Sequence, residues 1–324
     1  METILSGMQP TGQLHLGNYE GALKNWVALQ NNYEMFLCIV DWHALTSQYA
    51  DTAVLKDNIL QMAADFLAAG LDPNKCALFI QSDVKEHAEL HLLLSMLISV
   101  PTLTRLPTYL EKSEELGLDS YGFLGYPVLQ AADILIYNAH KVPVGKDQEK
   151  HIWLAADLAK RFNNMYGNTF NEPQVLLTEF PTLPGLDGKR MSKSLGNHIT
   201  LAETAEETAR KLKGMFTDPL KLRRGDPGRP EICPVYYLHR IYTPDHENII
   251  APPCRSGELG CVDCKRMLAA NLNKALEPIR EKRKKLVEKP GAVFNILKDG
   301  AMRARQRAQA VMARVRDHMK MAYY

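Results

Sequence analysis

The first half of this chain alternates short, uninterrupted apolar runs with segments of helical periodicity, and few architectures accommodate that alternation. Ile4-Leu5, Met35 to Val40 and Cys76 to Ile80 read as strands covered on both faces, because no polar residue interrupts them. Between the last two, Asp51 or Thr52 offers a cap, while Leu55, Ile59, Met62, Ala63 and Phe66 form a stripe and Gly70 supplies a stop. A helix is expected there. Lys141 to Gly145 reads as a further strand, followed by a helix from about Asp147 to Asn163. Strands separated by helices imply a parallel sheet with crossover helices, with ligands at the carboxyl ends of the strands.

After the Gly/Pro-rich stretch 181–197 the pattern becomes helical. Leu268, Leu272, Leu276 and Ile279 form one stripe, and Ala304, Ala308, Val311, Val315 and Met319 another. The expected organisation is an α/β domain over residues 1–185 followed by a mainly helical domain over 186–324. The longest apolar stretch, around Leu92 to Val100, falls well short of the ~20 residues of a bilayer span. No basic start followed by an apolar segment suggests secretion. A cytoplasmic chain without a membrane partner is expected.

Two short segments carry the chemistry. Gln9-Pro10-Thr11-Gly12-Gln13-Leu14-His15-Leu16-Gly17-Asn18 places glycines, an imidazole and an amide where a strand gives way to a helix. Backbone N–H groups and the helix dipole make such a start an anion site. Arg190-Met191-Ser192-Lys193-Ser194, led by Pro184-Gly185-Leu186-Asp187-Gly188-Lys189, is a cationic, hydroxyl-rich loop that reads as mobile. A loop of this kind can close over a polyphosphate and set positive charge where negative charge develops. A solvated loop is the plainer reading of the second segment taken alone.

Charge is unevenly spread. Residues 265–324 hold 16 Lys/Arg and 5 Asp/Glu, whereas the first 264 hold 23 and 32. An imbalance of that size makes a polyanionic partner a serious alternative to solvated helix faces. Arg303, Arg305, Arg307, Arg314 and Arg316 mostly fall off their helix's apolar stripe, and are expected to be free to meet phosphates. Four of the six cysteines follow the pattern Cys233-x20-Cys254-x6-Cys261-x2-Cys264, sufficient for a tetrahedral metal site. Spacing alone leaves zinc and a 4Fe–4S cluster open, since both take four thiolates. Cys38 and Cys76 sit inside strand-like runs as core thiols.

The two segments, in this order, resemble the signatures of class I aminoacyl-tRNA synthetases. Further matches are Ser6-Gly7-Met8, Ile39-Val40-Asp41-Trp42-His43-Ala44, Ala131-Ala132-Asp133-Ile134-Leu135 and Val142-Pro143-Val144-Gly145-Lys146-Asp147-Gln148. With these the chain resembles the bacterial tryptophanyl-tRNA synthetases, and its cysteine pattern resembles the subset carrying a 4Fe–4S cluster. The resemblance implies a Rossmann-like catalytic domain, ATP-dependent attachment of L-tryptophan to tRNA(Trp), a homodimer, and no DNA partner. By resemblance Gln9, Pro10, Thr11, His15, Gly17, Asn18, Gly145, Lys146, Asp147, Leu183, Arg190, Met191, Ser192, Lys193 and Ser194 bind ATP. Among these Gln9, Ser192, Lys193 and Ser194, with Lys112, serve catalysis, and Mg²⁺ bridges the phosphates. Leu5, Gly7, His43, Tyr126, Gln130, Asp133, Ile134, Val142, Val144 and Gln148 are the implied tryptophan contacts. Cys233, Cys254, Cys261 and Cys264 are the implied cluster ligands, with structural Zn²⁺ as the alternative.

Three positions depart from the family pattern. Arg190 stands where the loop usually begins with lysine, exchanging a point charge for a forked donor. His15 gives the first signature its fuller form. Gln130 replaces a common methionine and makes its helix similar to that of tyrosine-activating relatives. Indole N–H is a donor only, so a tryptophan pocket needs one buried acceptor within apolar surface. Asp133 is that acceptor by resemblance; a solvated helix carboxylate is the plain alternative. An idle regulatory relative and a cofactor-making nucleotidyltransferase are the remaining functional alternatives.

Overall fold

In the computed structural model, residues 1–145, 149–177 and 182–323 are described, apart from the side chains of Lys112 and Leu116. The expected positions Lys146, Asp147 and Gln148 lie outside them. The chain divides into two compact units. One comprises Met1–Gly12, Asn25–Thr178 and Leu286–Tyr324, and the other Gln13–Lys24 and Glu179–Lys285.

The first unit is built on five parallel strands: β1 (Thr3–Met8), β2 (Glu34–Ile39), β3 (Cys76–Ile80), β4 (Lys141–Val144) and β5 (Gln174–Leu177). Their order is β3-β2-β1-β4-β5, with Leu5 opposite Phe36 and Leu37 opposite Leu78. The order reverses direction at β1, so the crevice between the carboxyl ends of β1 and β4 is the expected ligand position. Proline cannot donate to a ladder, and the β1–β4 pairing is confined to Ile4 opposite Lys141, before Pro143. β5 was not foreseen. Its half-exposed edge position lacks the continuous apolar run that marks the inner strands.

Helices fill the intervals. In order they are α1 (Leu16–Asn18), which belongs to the second unit, α2 (Lys24–Leu29), α3 (Asp41–Gln48), α4 (Leu55–Ala69), α5 (Glu86–Ser95), α6 (Val100–Thr104), α7 (Pro107–Leu116), α8 (Tyr121–Leu124), α9 (Tyr126–Leu135) and α10 (Glu149–Tyr166). A π-helical turn, Tyr19–Leu23, joins the first two. α4 buries Ile59, Met62, Ala63 and Phe66 and stops at Gly70, whose φ of 116° suits glycine. It starts without the expected side-chain cap from Asp51 or Thr52; the Asp51 carboxylate instead accepts the Ala53 N–H, 3.3 Å away. Behind the sheet Phe36 and Tyr137 stack with ring centroids 4.5 Å apart. Each such large apolar side chain contributes about 1.5–3 kcal/mol by burial.

The second unit holds α11 (Ala205–Gly214), α12 (Pro234–Tyr242), α13 (His246–Ile249), α14 (Ala251–Ser256) and all but the last turn of α15 (Cys261–Val287). Thr204 and Glu207 form a reciprocal cap on α11. The foreseen stripe Leu268, Leu272, Leu276 and Ile279 is buried along α15.

The last helix, α16 (Pro290–His318), departs from expectation. Its foreseen stripe is buried, but in the core of the α/β unit, where Ala304, Ala308, Val311 and Val315 join Ala77 and Phe79. Four of its five arginines are consequently engaged. The Arg303 guanidinium donates to the carbonyls of Pro73 and Cys76 at 2.6 and 3.0 Å. Arg305 meets Glu86, Arg307 meets Tyr137 and Thr3, and Arg316 grips Glu89 with two bonds. The expectation of arginines free for phosphates is therefore corrected for Arg303, Arg305, Arg307 and Arg316: the helix lies against a unit whose carboxylates and carbonyls take up those charges. The compact units are not continuous in sequence: each draws segments from both sides of residue 185.

α16 approaches β3 so closely that a Cβ on Gly300 would run into the Leu78 carbonyl. Backbone atoms cannot give way as a side-chain tip can. Gly300→Ala is expected to cost about 3 kcal/mol, read as a lowered urea midpoint; an unchanged midpoint would contradict this packing.

Candidate functional site

The carboxyl ends of β2 and β3 deliver two polar side chains into an otherwise apolar interior. His43 follows β2 on α3, and Gln81 follows β3 directly. Both converge on Asp133, which α9 presents among the buried neighbours Ala131, Ala132, Ile134 and Leu135. Asp133 is only 3% exposed, so it is not the solvated residue of the plain reading. His43 Nε2 lies 3.0 Å from Oδ2 and His87 Nδ1 2.6 Å from Oδ1. Gln81 Nε2 sits 2.8 Å from both oxygens. His87 Nε2 continues the chain to the Tyr137 hydroxyl at 2.7 Å. Burial pushes the Asp133 carboxyl pKa up, but the fields and hydrogen bonds of His87 and His43 outweigh it and hold the group well below the usual carboxylate range. The site therefore keeps a charged acceptor in an apolar wall.

Near it in sequence, Tyr126 opens α9 and donates its hydroxyl to Thr108 Oγ1 at 2.8 Å, which also faces His151 Nε2 at 3.1 Å. Leu5, Ile134 and Val142 are buried, while Gln130 and Val144 are half-buried and Gly7 is exposed. Gln9 and Thr11 form a tight turn, Thr11 N donating to Gln9 O at 2.9 Å, with Pro10 buried between them and Gly145 ending β4. Lys112 lies on α7.

The second unit gathers the rest of the first signature with the cationic loop. His15 caps α1: its Nδ1 accepts the Asn18 N–H at 3.3 Å, and Asn18 Oδ1 accepts the His15 N–H at 3.1 Å. Leu16 N donates to Ile199 O, and Leu201 N to Leu14 O. This ties the signature to the chain just beyond the loop. Burial first, then the positive charges of Lys193, His198 and Arg190, lower His15 to about 4. The imidazole is thus neutral at neutral pH, and two loop cations act on it. A Cβ on Gly17 would sit 3.8 Å from Met191 Cβ, so the loop lies over the helix start.

The loop is held rather than loose. Asn197, nearly buried, accepts the Ser192 N–H at 2.8 Å and donates to Asp187 Oδ1 at 2.7 Å and Arg190 O at 3.0 Å. Ser192 and Ser194 hydroxyls lie 2.9 Å apart. Leu183 and Met191 are buried beneath, joined by the Met191 N–H to Leu183 carbonyl bond.

In the same unit Cys233, Cys254, Cys261 and Cys264 line one cavity, together with Asp218, Lys221, Arg229 and Tyr236. Cys233 caps α12, Cys254 sits on α14, and Cys261 and Cys264 begin α15. Burial raises the Cys264 thiol to about 12, with the other three cysteines adding to it. Gly228 hugs the cavity; a Cβ there would lie 2.6 Å from Cys254 Sγ. Among the described residues no three His, Cys, Asp or Glu side chains are gathered as ligands of a single ion.

Residues 2–277 match the family profile described as tRNA synthetases class I (W and Y). The tryptophan--tRNA ligase of Thermotoga maritima is 47% identical over 99% of both chains, and that of Aquifex aeolicus is 43% identical over 98% of this chain and 99% of its own. The structure of tryptophanyl-tRNA synthetase from Campylobacter jejuni complexed with ADP and tryptophan superposes with a TM-score of 0.89 at 36% identity, covering 98% and 99% of the two chains. The chain belongs to this class I synthetase family.

Sequence reasoning missed three residues that the candidate site brings in: Gln81, His87 and Asn197. Gln81 and His87 follow the end of a foreseen strand, where polar residues beside a ligand crevice gather, and that position was their signal. Asn197 had none beyond closing the cationic loop. Asp133→Asn tests the carboxylate cluster. The amide would turn a donor toward a histidine that already donates, so a loss of about 1–3 kcal/mol in stability is expected. The kcat/KM for the amino acid should fall at least about tenfold, with KM for ATP unchanged. Unaltered amino-acid kinetics would remove Asp133 from the site.

Proposed function

We propose that the synthetase is a tryptophan–tRNA ligase. It activates L-tryptophan with ATP and transfers it to tRNA(Trp). The observation that carries this reading is the buried, charged Asp133. Its oxygens offer about four acceptor positions, and His43, His87 and Gln81 supply three donor groups. The Gln81 amide reaches both oxygens, so four contacts already meet them; an indole N–H, a donor without acceptor character, would take up one of the two that Gln81 shares. The full-length likeness to tryptophan ligases supports the same choice over tyrosine.

In activation the tryptophan carboxylate attacks the α-phosphorus of ATP and pyrophosphate leaves. In transfer a terminal ribose hydroxyl of the tRNA attacks the acyl carbon and AMP leaves. No nucleophile of the protein is needed, so catalysis rests on alignment and charge. Gln9, Thr11, Gly17, Asn18 and Gly145 would line the adenylate, and Mg²⁺ enters with ATP. Lys193, Arg190, Lys112 and the Ser192 and Ser194 hydroxyls would meet the phosphates. A neutral His15 serves as a hydrogen-bonding group rather than a cation there.

The four-cysteine cavity fits a metal group. Cys233, Cys254, Cys261 and Cys264 would hold it, tying α12, α14 and α15 together. Around zinc, Zn–S bonds of about 2.3 Å would bring the sulfurs within ~4 Å of one another. Both groups take four thiolates, and the likeness of the cysteine pattern to the cluster-bearing subset supports a 4Fe–4S cluster over zinc. Transfer RNA would meet exposed lysines such as Lys282, Lys284 and Lys285 of α15. For a homodimer, the support is an apolar surface around Met96, Leu97, Ile98 and Met165 on the α/β unit, with Leu92 and Val100 exposed on α5 and α6.

ATP–pyrophosphate exchange surveyed over the standard amino acids tests the assignment. Tryptophan alone should support strong exchange. Stronger exchange with tyrosine would overturn it, and exchange with neither would return the idle relative as the better reading.

A further inference from the structure

Lys221 is 7% exposed, a depth at which an ammonium needs an anion nearby. Its Nζ donates to two carbonyl oxygens, Asp226 O at 2.6 Å and Cys254 O at 3.2 Å. No carboxylate pairs with it among the described residues. The other cation lining the same cavity, Arg229, is neutralised. Its Nε and Nη2 meet the two oxygens of Asp218 at 3.0 and 2.6 Å. Lys221 is thus a buried positive charge left over beside four cysteines. Carbonyl dipoles alone could be satisfied by a neutral amide, so the choice of lysine calls for a negative charge.

Four thiolates around a doubly charged core, zinc or an oxidised 4Fe–4S cubane, carry a net charge of minus two. Such a group in a cavity of low polarity needs compensation. The cavity supplies some through backbone. Cys233 stands at the N-terminal cap of α12, where the helix dipole is positive. Backbone dipoles supply no whole charge. The geometry points to Lys221 as the counter-ion of a dianionic metal tetrathiolate held by Cys233, Cys254, Cys261 and Cys264. It fixes the charge of the occupied pocket through space, from the Cys254 side, without binding metal itself. This rests on the metal reading of the four cysteines given above.

The test follows metal release from the full-length protein, purified without oxygen, into excess bathophenanthroline for iron and a zinc-sensitive chelator for zinc. Iron, zinc and acid-labile sulfide are counted first. Lys221→Gln keeps a hydrogen-bond donor for the two carbonyls and removes the charge, while Lys221→Arg keeps the charge. Release from the Gln variant should be about tenfold faster or more, the usual reach of a residue one shell away from the metal. The Arg variant should release within about twofold of the parent, since charge and not ligation is at stake. If the metal is a cluster, its one-electron midpoint should fall in the Gln variant by about 59 mV for each tenfold change in the redox equilibrium. A purely structural lysine would leave that midpoint unmoved. Should Lys221→Gln fold poorly, Lys221→Met removes the same charge from a chain of similar length, and the Arg variant reads charge rescue directly. A metal-loaded Gln variant with the parent's release rate would overturn the counter-ion role and leave the metal site standing. A parent protein with neither iron nor zinc would overturn the metal reading itself, and this inference with it.

Discussion

A charged carboxylate in a dry protein interior is the constraint around which the α/β unit is arranged. An isolated buried charge is prohibitively costly, so Asp133 requires donors, and those donors must come from rigid places. The ends of β2 and β3 provide them. α3 delivers His43, the turn after β3 delivers Gln81, and α5 delivers His87, which Tyr137 in turn holds from behind. Each contact joins a different element to α9, so fixing the charge also fixes how those elements sit together. The same network that steadies the core also holds the carboxylate proposed to meet the ligand. Stability and selection therefore share atoms, and a change at Asp133 touches both.

A different economy governs the second unit. There the groups proposed to meet phosphate are held by backbone and amide bonds rather than by a buried charge. His15 and Asn18 cap each other, and Asn197 gathers Ser192, Asp187 and Arg190 into one turn. Lys193 and Arg190 are thereby kept near a helix start. The result suits a polyanion that arrives and leaves: positive potential is in place beforehand, and little has to be reorganised when charge develops.

Much of this was legible in the sequence, for reasons that can be named. Strands covered on both faces carry continuous apolar runs, so Met35 to Ile39 and Cys76 to Ile80 announce themselves, the second although it lies at an edge of the sheet. The edge strand Gln174–Leu177 has no such run and stayed hidden. Helical stripes were also readable, on α15 and α16 alike. What a stripe cannot state is the surface it packs on. Ala304, Ala308, Val311 and Val315 fit a helical bundle or a sheet equally well, and only Gly300 against Leu78 distinguishes the two. The arginines of α16 followed that misplacement, since a guanidinium's role depends on what lies beside it. At the site, Asp133 was identified through its apolar neighbours and the family resemblance. Gln81 and His87 were missed because the contacts that define them span 46 residues or more.

The account turns on one acceptor reading one N–H, and the most direct measurement removes that N–H from the ligand instead of the acceptor from the protein. Titration calorimetry would compare L-tryptophan with β-(3-benzothienyl)-L-alanine, in which sulfur replaces the indole N–H at nearly constant shape. A site built around a buried acceptor leaves it short of a partner when the analogue binds, and discrimination of this kind reaches about four powers of ten. The account predicts that the analogue binds at least a hundredfold more weakly, roughly 2.7 kcal/mol. Equal affinity for the two would show that Asp133 does not read the indole, and would contradict the account at its centre.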